Sequence, residues 1–400
     1  MTLSGLAFAY ARRRPLATML VIALGALGVG IATLTLLVTH ELETRLRRDA
    51  EGIDLVVGAK GSPLQLVLAG VYHADVPPGN VPYASLATLR ANPRVASAIP
   101  LALGDSVRGF RIVGTEPALV EHYAATLAAG EMFVAPMDAV IGSDVARATG
   151  LRVGATFAGS HGLAEGGGEH AETPYRVVGV LAPTGRVVDR LVLTPLESVW
   201  EVHETKHGAR AAPAAGAGGD RQVTMILVRF RSPLAATSLA REINASSALV
   251  AASPAYETAR LFTAFGVGLD LVRAFAAILV AASVLLLFVA LAQALEERRY
   301  DLAILRALGA RRRDIVWVLM AESLALAAAG TLLGMALGHV AAATIGTWLP
   351  AASPLAGAAW RLAPEEGIVA ALALGGGILA ACWPAWRAAR LDVAATLAEG

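Results

Sequence analysis

One stretch of this sequence, HETKH at 203 to 207, spells a hydrolytic metal motif. His203 and His207 are spaced like two zinc ligands on one helix face, and Glu204 stands where a zinc hydrolase places its general base. The context opposes that chemistry, because Gly208 and an alanine- and glycine-rich tract follow at once and no third ligand is evident. We therefore predict no bound metal and keep His203 and His207 only as candidate ligands.

Two further chemistries can be weighed from short motifs. The run VGAKGSP at 57 to 63 has the letters of a nucleotide-binding P-loop at the wrong spacing, and no G-x-x-x-x-G-K-[ST] occurs. We therefore do not expect this chain to hydrolyse ATP, and we assign no catalytic residues. Glu322 lies inside an apolar stretch, where a carboxylate is a functional candidate by default. The sequence shows no basic partner for it in another such stretch, so a proton relay is not favoured.

A charged run, EERRYDLAILRALGARRRDI at 296 to 315, lies between two of the most apolar stretches of the chain. Its spacing predicts a short amphipathic helix with Leu302, Leu305 and Leu308 on one side. Gly309 is expected to end this helix before the arginines at 311 to 313. The run is either a cluster that sets membrane topology, with a connecting helix, or a helix that docks into a cytoplasmic partner. Spacing alone leaves both interpretations open.

The elements that position these residues are membrane spans. Hydrophobic residues make up 56% of the 400 residues and charged residues 16%, with a mean hydropathy of +0.59, which excludes a soluble enzyme. A hydrocarbon core of about 30 Å needs roughly 17 to 25 apolar residues. The first candidate span is expected to be an uncleaved anchor, because its apolar core exceeds that of a signal peptide. The predicted spans are 16 to 39, 274 to 295, 315 to 343 and 367 to 383.

Arginines in the short segments predict the orientation of these spans. Those at 12 to 14, 298 to 313 and 387 to 390 all fall on one side of a four-span protein. The positive-inside rule places that side, and both termini, in the cytoplasm. The net charge of +1 gives no reason to expect nucleic acid as a partner. The single cysteine, Cys382, lies in the fourth span, so no intrachain disulfide can form.

The long segment between the first two spans predicts an extracytoplasmic mixed α/β (α+β) domain. Runs rich in valine, isoleucine and leucine predict strands at 108 to 114, 175 to 181, 189 to 195 and 223 to 230. Helices are predicted at 85 to 92, at 143 to 150 with Ser143 as N-cap, and at 234 to 244. The stretches 162 to 172 and 209 to 220 are too rich in glycine and alanine to hold one conformation. Helical patterning continues outward from spans one and two, which predicts two stiff stalks. The predicted domains are 1 to 39, 40 to 265 and 266 to 400.

The third span carries Gly330, Gly334 and Gly338 at intervals of four. They share one helix face and allow close backbone approach, as in small-xxx-small interfaces. We predict a packing seam, either within the chain or between two copies.

The residues from 296 onward resemble those of a known family. EERRYDLAILRALGARRRDI, the glycine-spaced third span and the tail PAWRAARLDVAATL at 384 to 397 are similar to the FtsX-like permeases, which include lipoprotein-releasing permeases and MacB efflux proteins. Val393 stands where the family usually has proline. The resemblance implies that the charged run is a coupling helix seated in a cytoplasmic ABC ATPase on a separate chain, which uses ATP, while this chain carries no cofactor. It also implies a pair of permeases, with a second copy or a homologous permease, and a periplasmic adaptor is a further candidate partner. The expected location is the inner membrane of a bacterium, the natural setting of the family. The coupling residues on this interpretation are Glu297, Arg298, Asp301, Leu305, Arg306, Gly309 and Arg313.

Three functions are thus in view. The first is an ABC transporter permease that exports a substrate or extracts it from the membrane or periplasm. The second is a signalling scaffold that regulates an external partner, such as a cell-wall hydrolase, without transport. The third is a metal-linked membrane protein that uses His203 and His207.

Overall fold

The computed structural model of the chain describes residues 15–161, 173–207, 221–348, 353–393 and 396. The chain divides into a sheet unit, Thr44–Thr263, and a helical unit, Met1–Glu43 with Ala264–Gly400. The α-helices of the described residues are α1 (Pro15–Ala50), α2 (Pro63–Gly70), α3 (Ala84–Ala91), α4 (Ala118–His122), α5 (Ser143–Thr149), α6 (Leu196–His207), α7 (Leu239–Ser246), α8 (Pro254–Glu297), α9 (Arg299–Ala307), α10 (Arg312–Trp348), α11 (Ser353–Ala358) and α12 (Glu366–Ala389).

Four of these helices, α1, α8, α10 and α12, are long and apolar enough to cross a membrane. Each contains one of the predicted spans, so the prediction of four transmembrane helices is confirmed. Polar side chains inside them bond to their own backbone, as a lipid environment requires. In α1 the Thr35 hydroxyl donates to the carbonyl of Ile31 and the Thr39 hydroxyl to that of Thr35, each at 2.7 Å.

The helical unit is held together by packed apolar side chains and by hydrogen bonds between spans, among them two from serines. Leu287, Leu291 and Leu295 recur every four residues on α8 and are buried in one cluster with residues of α10 and α12. The Ser283 hydroxyl on α8 donates to the carbonyl of Val21 on α1 at 3.1 Å. The Ser323 hydroxyl on α10 donates to the carbonyl of Gly377 on α12 at 2.6 Å. Serines of this kind bind helices to one another where water is excluded.

The sheet unit is built on one large mixed sheet. Its strand order is β13-β1-β12-β3-β4-β10-β6-β9-β5, with β7 paired to β9 and β8 to β3, while β11 and β2 form a separate pair. Strands β10 and β4 are parallel, as are β6 and β9, and the other pairs are antiparallel. The predicted mixed α/β domain between the first two spans is therefore confirmed. The strands are β1 (Leu55–Ala59), β2 (Val81–Pro82), β3 (Val95–Val107), β4 (Phe110–Thr115), β5 (Leu127–Gly130), β6 (Asp138–Ile141), β7 (Thr156–Phe157), β8 (Ser160–His161), β9 (Tyr175–Leu181), β10 (Leu191–Pro195), β11 (Gln222–Val223), β12 (Met225–Phe230) and β13 (Leu249–Ala252).

The sheet has a hydrophobic core on each face. Along β1, Val56 packs into one core, while Leu55 and Val57 pack into the other. This alternation follows from the two-residue period of a strand. Both faces of the central sheet are therefore buried, which fits the continuous apolar sequence of β1.

Local element predictions hold with several corrections. The predicted strand 189–195 begins with a 3-10 turn, Val187–Arg190, and the predicted helix 234–244 begins with another, Pro233–Thr237. The predicted strand 223–230 is divided between β11 and β12. Gly142, and not Ser143, precedes α5 as its N-cap, whereas Gly150 ends that helix at φ +73° as a left-handed residue should. The predicted loops 162–172 and 209–220 lie outside the described residues.

Candidate functional site

The charged run forms a short helix between two spanning helices. Helix α8 ends at Glu297 and α9 begins at Arg299, so Arg298 alone breaks the helix, with φ −100° and ψ 7°. Gly309 follows α9 at φ +102°, a left-handed conformation that glycine adopts without steric cost. Helix α10 starts at Arg312. Just before it, the backbone N–H of Arg311 donates to the carboxylate of Asp314 at 2.9 Å. The predicted helix and its glycine stop are thus present in the structure.

The two faces of α9 differ from the sequence prediction. Leu302 is 6% exposed and packs in the core of the helical unit, Leu305 is half-buried against the same cluster, and Leu308 is 80% exposed. The prediction that these three leucines share one side is wrong. Three residues turn a helix by about 300°, so two such steps carry Leu308 about 120° away from Leu302.

An exposed apolar stripe instead runs along Tyr300, Ile304 and Leu308, which are 46%, 38% and 80% exposed. Their spacing of four residues keeps them within about 80° of one another around the helix. The stripe lies opposite the buried face formed by Leu302 and Ala303. The sequence carries a signal for this stripe, a second i, i+4, i+8 series that begins with a tyrosine. Helix α9 therefore has one face packed on the spans and one face unpacked.

Arg298 does not lie on that exposed face. Its Nη1 donates to Oε2 of Glu322 at 3.0 Å, and the two side chains are only 11% and 7% exposed. Glu322 thus has the basic partner that the sequence did not reveal. This partner does not come from another span but from the break between α8 and α9. An intramembrane carboxylate paired in this way is charge-compensated, as such groups usually are.

The other predicted coupling residues have separate surroundings. Arg306 Nη1 donates to the carbonyl of Leu391, beyond the end of α12, at 2.8 Å. Glu297, Asp301 and Gly309 are exposed. Arg313 is exposed and lies 3.9 Å from the carboxylate of Asp314. The predicted set therefore splits into side chains that hold α9 in place and side chains that face outward.

A charge network that sequence reasoning missed joins α8, α9 and α12. The carboxylate of Glu296 accepts from Arg299 at 3.1 Å and lies 2.9 Å from Arg387. The guanidinium of Arg387 also lies 5.3 Å from the centre of the Trp383 ring. These side chains are about half exposed, so the pairs orient the helix ends more than they stabilise the fold.

The three glycines of α10 pack against α1 of the same chain. A Cβ at Gly334 would lie 2.7 Å from the carbonyl oxygen of Ala26, and one at Gly338 would lie 2.8 Å from Cβ of Thr33. At Gly330 the nearest atom, the carbonyl oxygen of Ile22, would be 3.5 Å away. The predicted seam is thus an interface within the chain, and it is tightest at Gly334 and Gly338.

The metal candidates receive no support from the described side chains. His203 and His207 lie on the last turns of α6, but the side chains from 203 to 207 are outside the described part of the chain. Among the side chains that are described, no group of three or more histidine, cysteine, aspartate or glutamate residues could hold a metal ion.

Comparison with known proteins gives two family matches. Residues 273–393 match the FtsX-like permease C-terminal family, and residues 16–246 match the MacB-like periplasmic core domain. The crystal structure of the periplasmic region of MacB from Actinobacillus actinomycetemcomitans is similar at 13% identity and a TM-score of 0.34, over 53% of this chain and 95% of that one. The extracellular domain of the noncanonic ABC-type transporter YknZ from Gram-positive bacteria is similar at 14% identity and a TM-score of 0.30, over 50% of this chain and 98% of that one. The search of curated proteins found no match.

Proposed function

Because this chain belongs to the FtsX-like, MacB-type permeases of ABC transporters, we propose that it works as a mechanical subunit driven by an ATPase on a separate chain. Family members of this kind work with a cytoplasmic ABC ATPase and are generally not catalytic themselves. In the proposed function, ATP hydrolysis by the partner displaces α9, and the spans carry that displacement toward the sheet unit. The work done is export of a substrate, or its extraction from the membrane or periplasm.

The observation that carries this proposal is the exposed apolar stripe of α9. A short helix between two spans, with one face packed in the core and Tyr300, Ile304 and Leu308 unpacked on the other, suits insertion into a groove of a partner. The family supplies the partner that fits, a cytoplasmic ABC ATPase. Asp301, exposed beside the stripe, gives the docking face a polar rim.

The side of the membrane follows from the arginines around α9. Arg311, Arg312 and Arg313 are exposed at the start of α10, and Arg387 and Arg390 lie at the end of α12. By the positive-inside rule, these arginines support our proposal that this end of the spans lies in the cytoplasm, where an ATPase can reach it.

The proposed assembly contains two permeases and two ATPase subunits. The second permease is another copy of this chain or a homologous chain, and ATP binds only to the ATPases. No residue of this chain has a catalytic role in this proposal, because the chain only transmits the movement that the ATPase drives. A periplasmic adaptor remains a further candidate partner for the sheet unit.

Affinity purification of the tagged chain in mild detergent, with mass spectrometry of the proteins that co-purify, tests the docking claim. The wild type is expected to recover an ABC ATPase, and Leu308→Asp is expected to lose it, because a charge replaces the most exposed anchor of the stripe. Val134→Asp is the matched control, since Val134 is 87% exposed on the sheet unit, close to the 80% of Leu308. Recovery of the ATPase with Leu308→Asp in undiminished amount, or its absence from the wild type, contradicts the proposal.

A further inference from the structure

We propose that the buried pair between Arg298 and Glu322 transmits the displacement of α9 to the third spanning helix, so that Arg298 is a positioning residue and not a docking residue. This inference rests on the proposed function, in which α9 is the element that an ATPase moves.

The backbone at Arg298 joins two helices. Arg298 is the single residue between α8 and α9, and its backbone N–H donates to the carbonyls of Ala294 and Leu295 while its own carbonyl accepts from Leu302. Its φ and ψ depart from those of the helices on either side. A change in the angle between α8 and α9 must therefore be taken up at this residue or beside it.

The side chain of Arg298 is held by Glu322 of α10. Arg298 Nη1 and Glu322 Oε2 are 3.0 Å apart, and both side chains are close to fully buried. Beside the pair lies a small cavity of about 30 Å³ lined by Thr18 and Val21 of α1 and by Leu291 of α8, among others. A cavity of this size has room for a water molecule, which would help to solvate the two charges. A close, charge-assisted hydrogen bond in such surroundings resists separation, because each charge would otherwise be left buried alone.

Helix α9 is held at its C-terminal end as well. Arg306 Nη1 donates to the carbonyl of Leu391, just beyond α12, at 2.8 Å. Helix α9 is thus connected to α10 through Glu322 and to the end of α12 through Leu391. Through these two contacts a displacement of α9 reaches α10 and the end of α12, and the contact with α10 is ionic.

The alternative is that the pair only stabilises the fold. The two roles make different predictions for ATPase binding and for movement. A stabilising pair affects both together through loss of folded protein, whereas a transmitting pair affects the movement of α10 while the ATPase stays bound and active.

The test uses the complex recovered in detergent, with a single reporter thiol at the far end of α10. Cys382→Ser removes the native thiol, and Trp348→Cys places a new one at the last residue of α10, where the tryptophan is 82% exposed. The rate of maleimide modification is measured without nucleotide and with Mg-ATP and vanadate. In the parent protein, which carries both cysteine substitutions and keeps the Arg298–Glu322 pair, we expect this rate to change between the two conditions by about fivefold or more. Fivefold is the lower end of typical coupling between sites.

Three pair variants are then compared in that background. Glu322→Gln keeps the shape of the side chain and loses the charge, and we expect the ATPase to remain bound and to hydrolyse ATP within about twofold of the parent, while the nucleotide response of the thiol falls by about fivefold. Arg298→Met combined with Glu322→Leu is expected to behave in the same way and to fold, because apolar replacement of a buried pair commonly preserves stability. The reversed pair, Arg298→Glu with Glu322→Arg, is expected to restore the response.

A response that persists in the folded apolar variant overturns the inference, and so does a reversed pair that binds the ATPase without regaining the response. An ATPase that binds the parent without any nucleotide response also overturns it. Failure of the parent to recover an ATPase contradicts the proposed function itself, which separates that failure from failure of the inference.

Discussion

The imidazole of His339 on α10 lies between two acceptors, the carboxylate of Glu366 and a backbone carbonyl. Its Nε2 is 2.9 Å from Oε2 of Glu366, and its Nδ1 is 2.8 Å from the carbonyl oxygen of Ala359. Oε1 of Glu366 also accepts the backbone N–H of Ala363 at 2.9 Å, and the Glu366 side chain is 2% exposed. Both ring nitrogens thus lie within hydrogen-bond distance of an oxygen, and the imidazole joins α10 to the start of α12.

Replacement of Glu366 should separate the effect of hydrogen bonding from that of charge. Glu366→Gln can donate from its amide to Nε2 and still accept from Ala363, so we expect thermal stability in detergent close to that of the wild type. Glu366→Ala leaves the imidazole and the Ala363 N–H without these bonds, and we expect a loss of about 2 kcal/mol. Equal loss of stability in both variants, measured by thermal unfolding, would show that the carboxylate charge is essential.

The glycine seam predicts a graded response to added methyl groups. Gly334→Ala places a Cβ 2.7 Å from the carbonyl oxygen of Ala26, too close for the backbone to accept without movement of α1. We expect it to cost about 2 kcal/mol through overpacking. Gly330→Ala is the matched control on the same helix, because its Cβ would meet the nearest atom at 3.5 Å. Thermal unfolding of both variants in the same detergent checks the order, and a control that falls as far as Gly334→Ala contradicts the seam.

Leu302 in α9 and Leu308 at its C-terminal cap are expected to differ in the cost of replacement by alanine. Leu302 is 6% exposed in the core of the helical unit, and Leu302→Ala should cost about 2 to 5 kcal/mol of stability. Leu308 is 80% exposed, and Leu308→Ala should change stability by less than about 0.5 kcal/mol while it weakens recovery of the ATPase. Both quantities are measured on the same two proteins. In unfolding, Leu302→Ala should lose more stability than Leu308→Ala, whereas in co-purification Leu308→Ala should recover less ATPase than Leu302→Ala.

His73 in the sheet unit predicts a pH dependence of stability. Burial, with the nearby charges of Arg111 and Arg190, lowers the pKa of His73 from 6.5 to about 3. Below pH 6.5 the unfolded chain binds a proton at this residue and the folded chain does not. The stability that the folded protein gains from the neutral His73 is therefore complete above pH 6.5 and is lost as the pH falls toward 3. Between pH 7 and pH 5 the loss is up to about 2 kcal/mol.

The matched variant for that prediction is His73→Asn. His73 has φ +52°, in the left-handed region that asparagine tolerates better than most residues. Denaturation of the full-length protein at pH 7 and pH 5, followed by circular dichroism, should show a smaller difference for the variant than for the wild type. An identical difference in the two proteins would refute the assignment to His73.

The spans and α9 could be predicted because their signals are local. Apolar length identifies α1, α8, α10 and α12, and Gly309 ends α9 where the sequence indicated. The pairing of Arg298 with Glu322 could not be predicted in that way, because it joins residues separated by 24 positions through the packing of two helices. The wrong prediction for Leu308 has a local cause instead, because two steps of three residues turn it about 120° away from Leu302 around the helix.

The longest strand of the sheet was also missed. Strand β3, Val95–Val107, contains Pro100, Gly104 and Asp105, residues that are depleted in strands and that interrupt its apolar pattern. In the sheet, Pro100 lies opposite Ile226, and Leu103 bonds to the Thr224 side chain at 2.8 Å. Strand β3 exists because its neighbours β12 and β4 pair with it along its length, which is a property of the assembled sheet and not of the segment.

Cys382 gives each copy of the chain one reactive group and no more. It is the only cysteine among the 400 residues, and its side chain is exposed on α12. A membrane-permeant fluorescent maleimide therefore labels each copy once, and in a complex with a cysteine-free ATPase the number of photobleaching steps counts the copies of this chain. Two steps per complex would report a pair of copies and one step a single copy, without any change to the sequence of the permease.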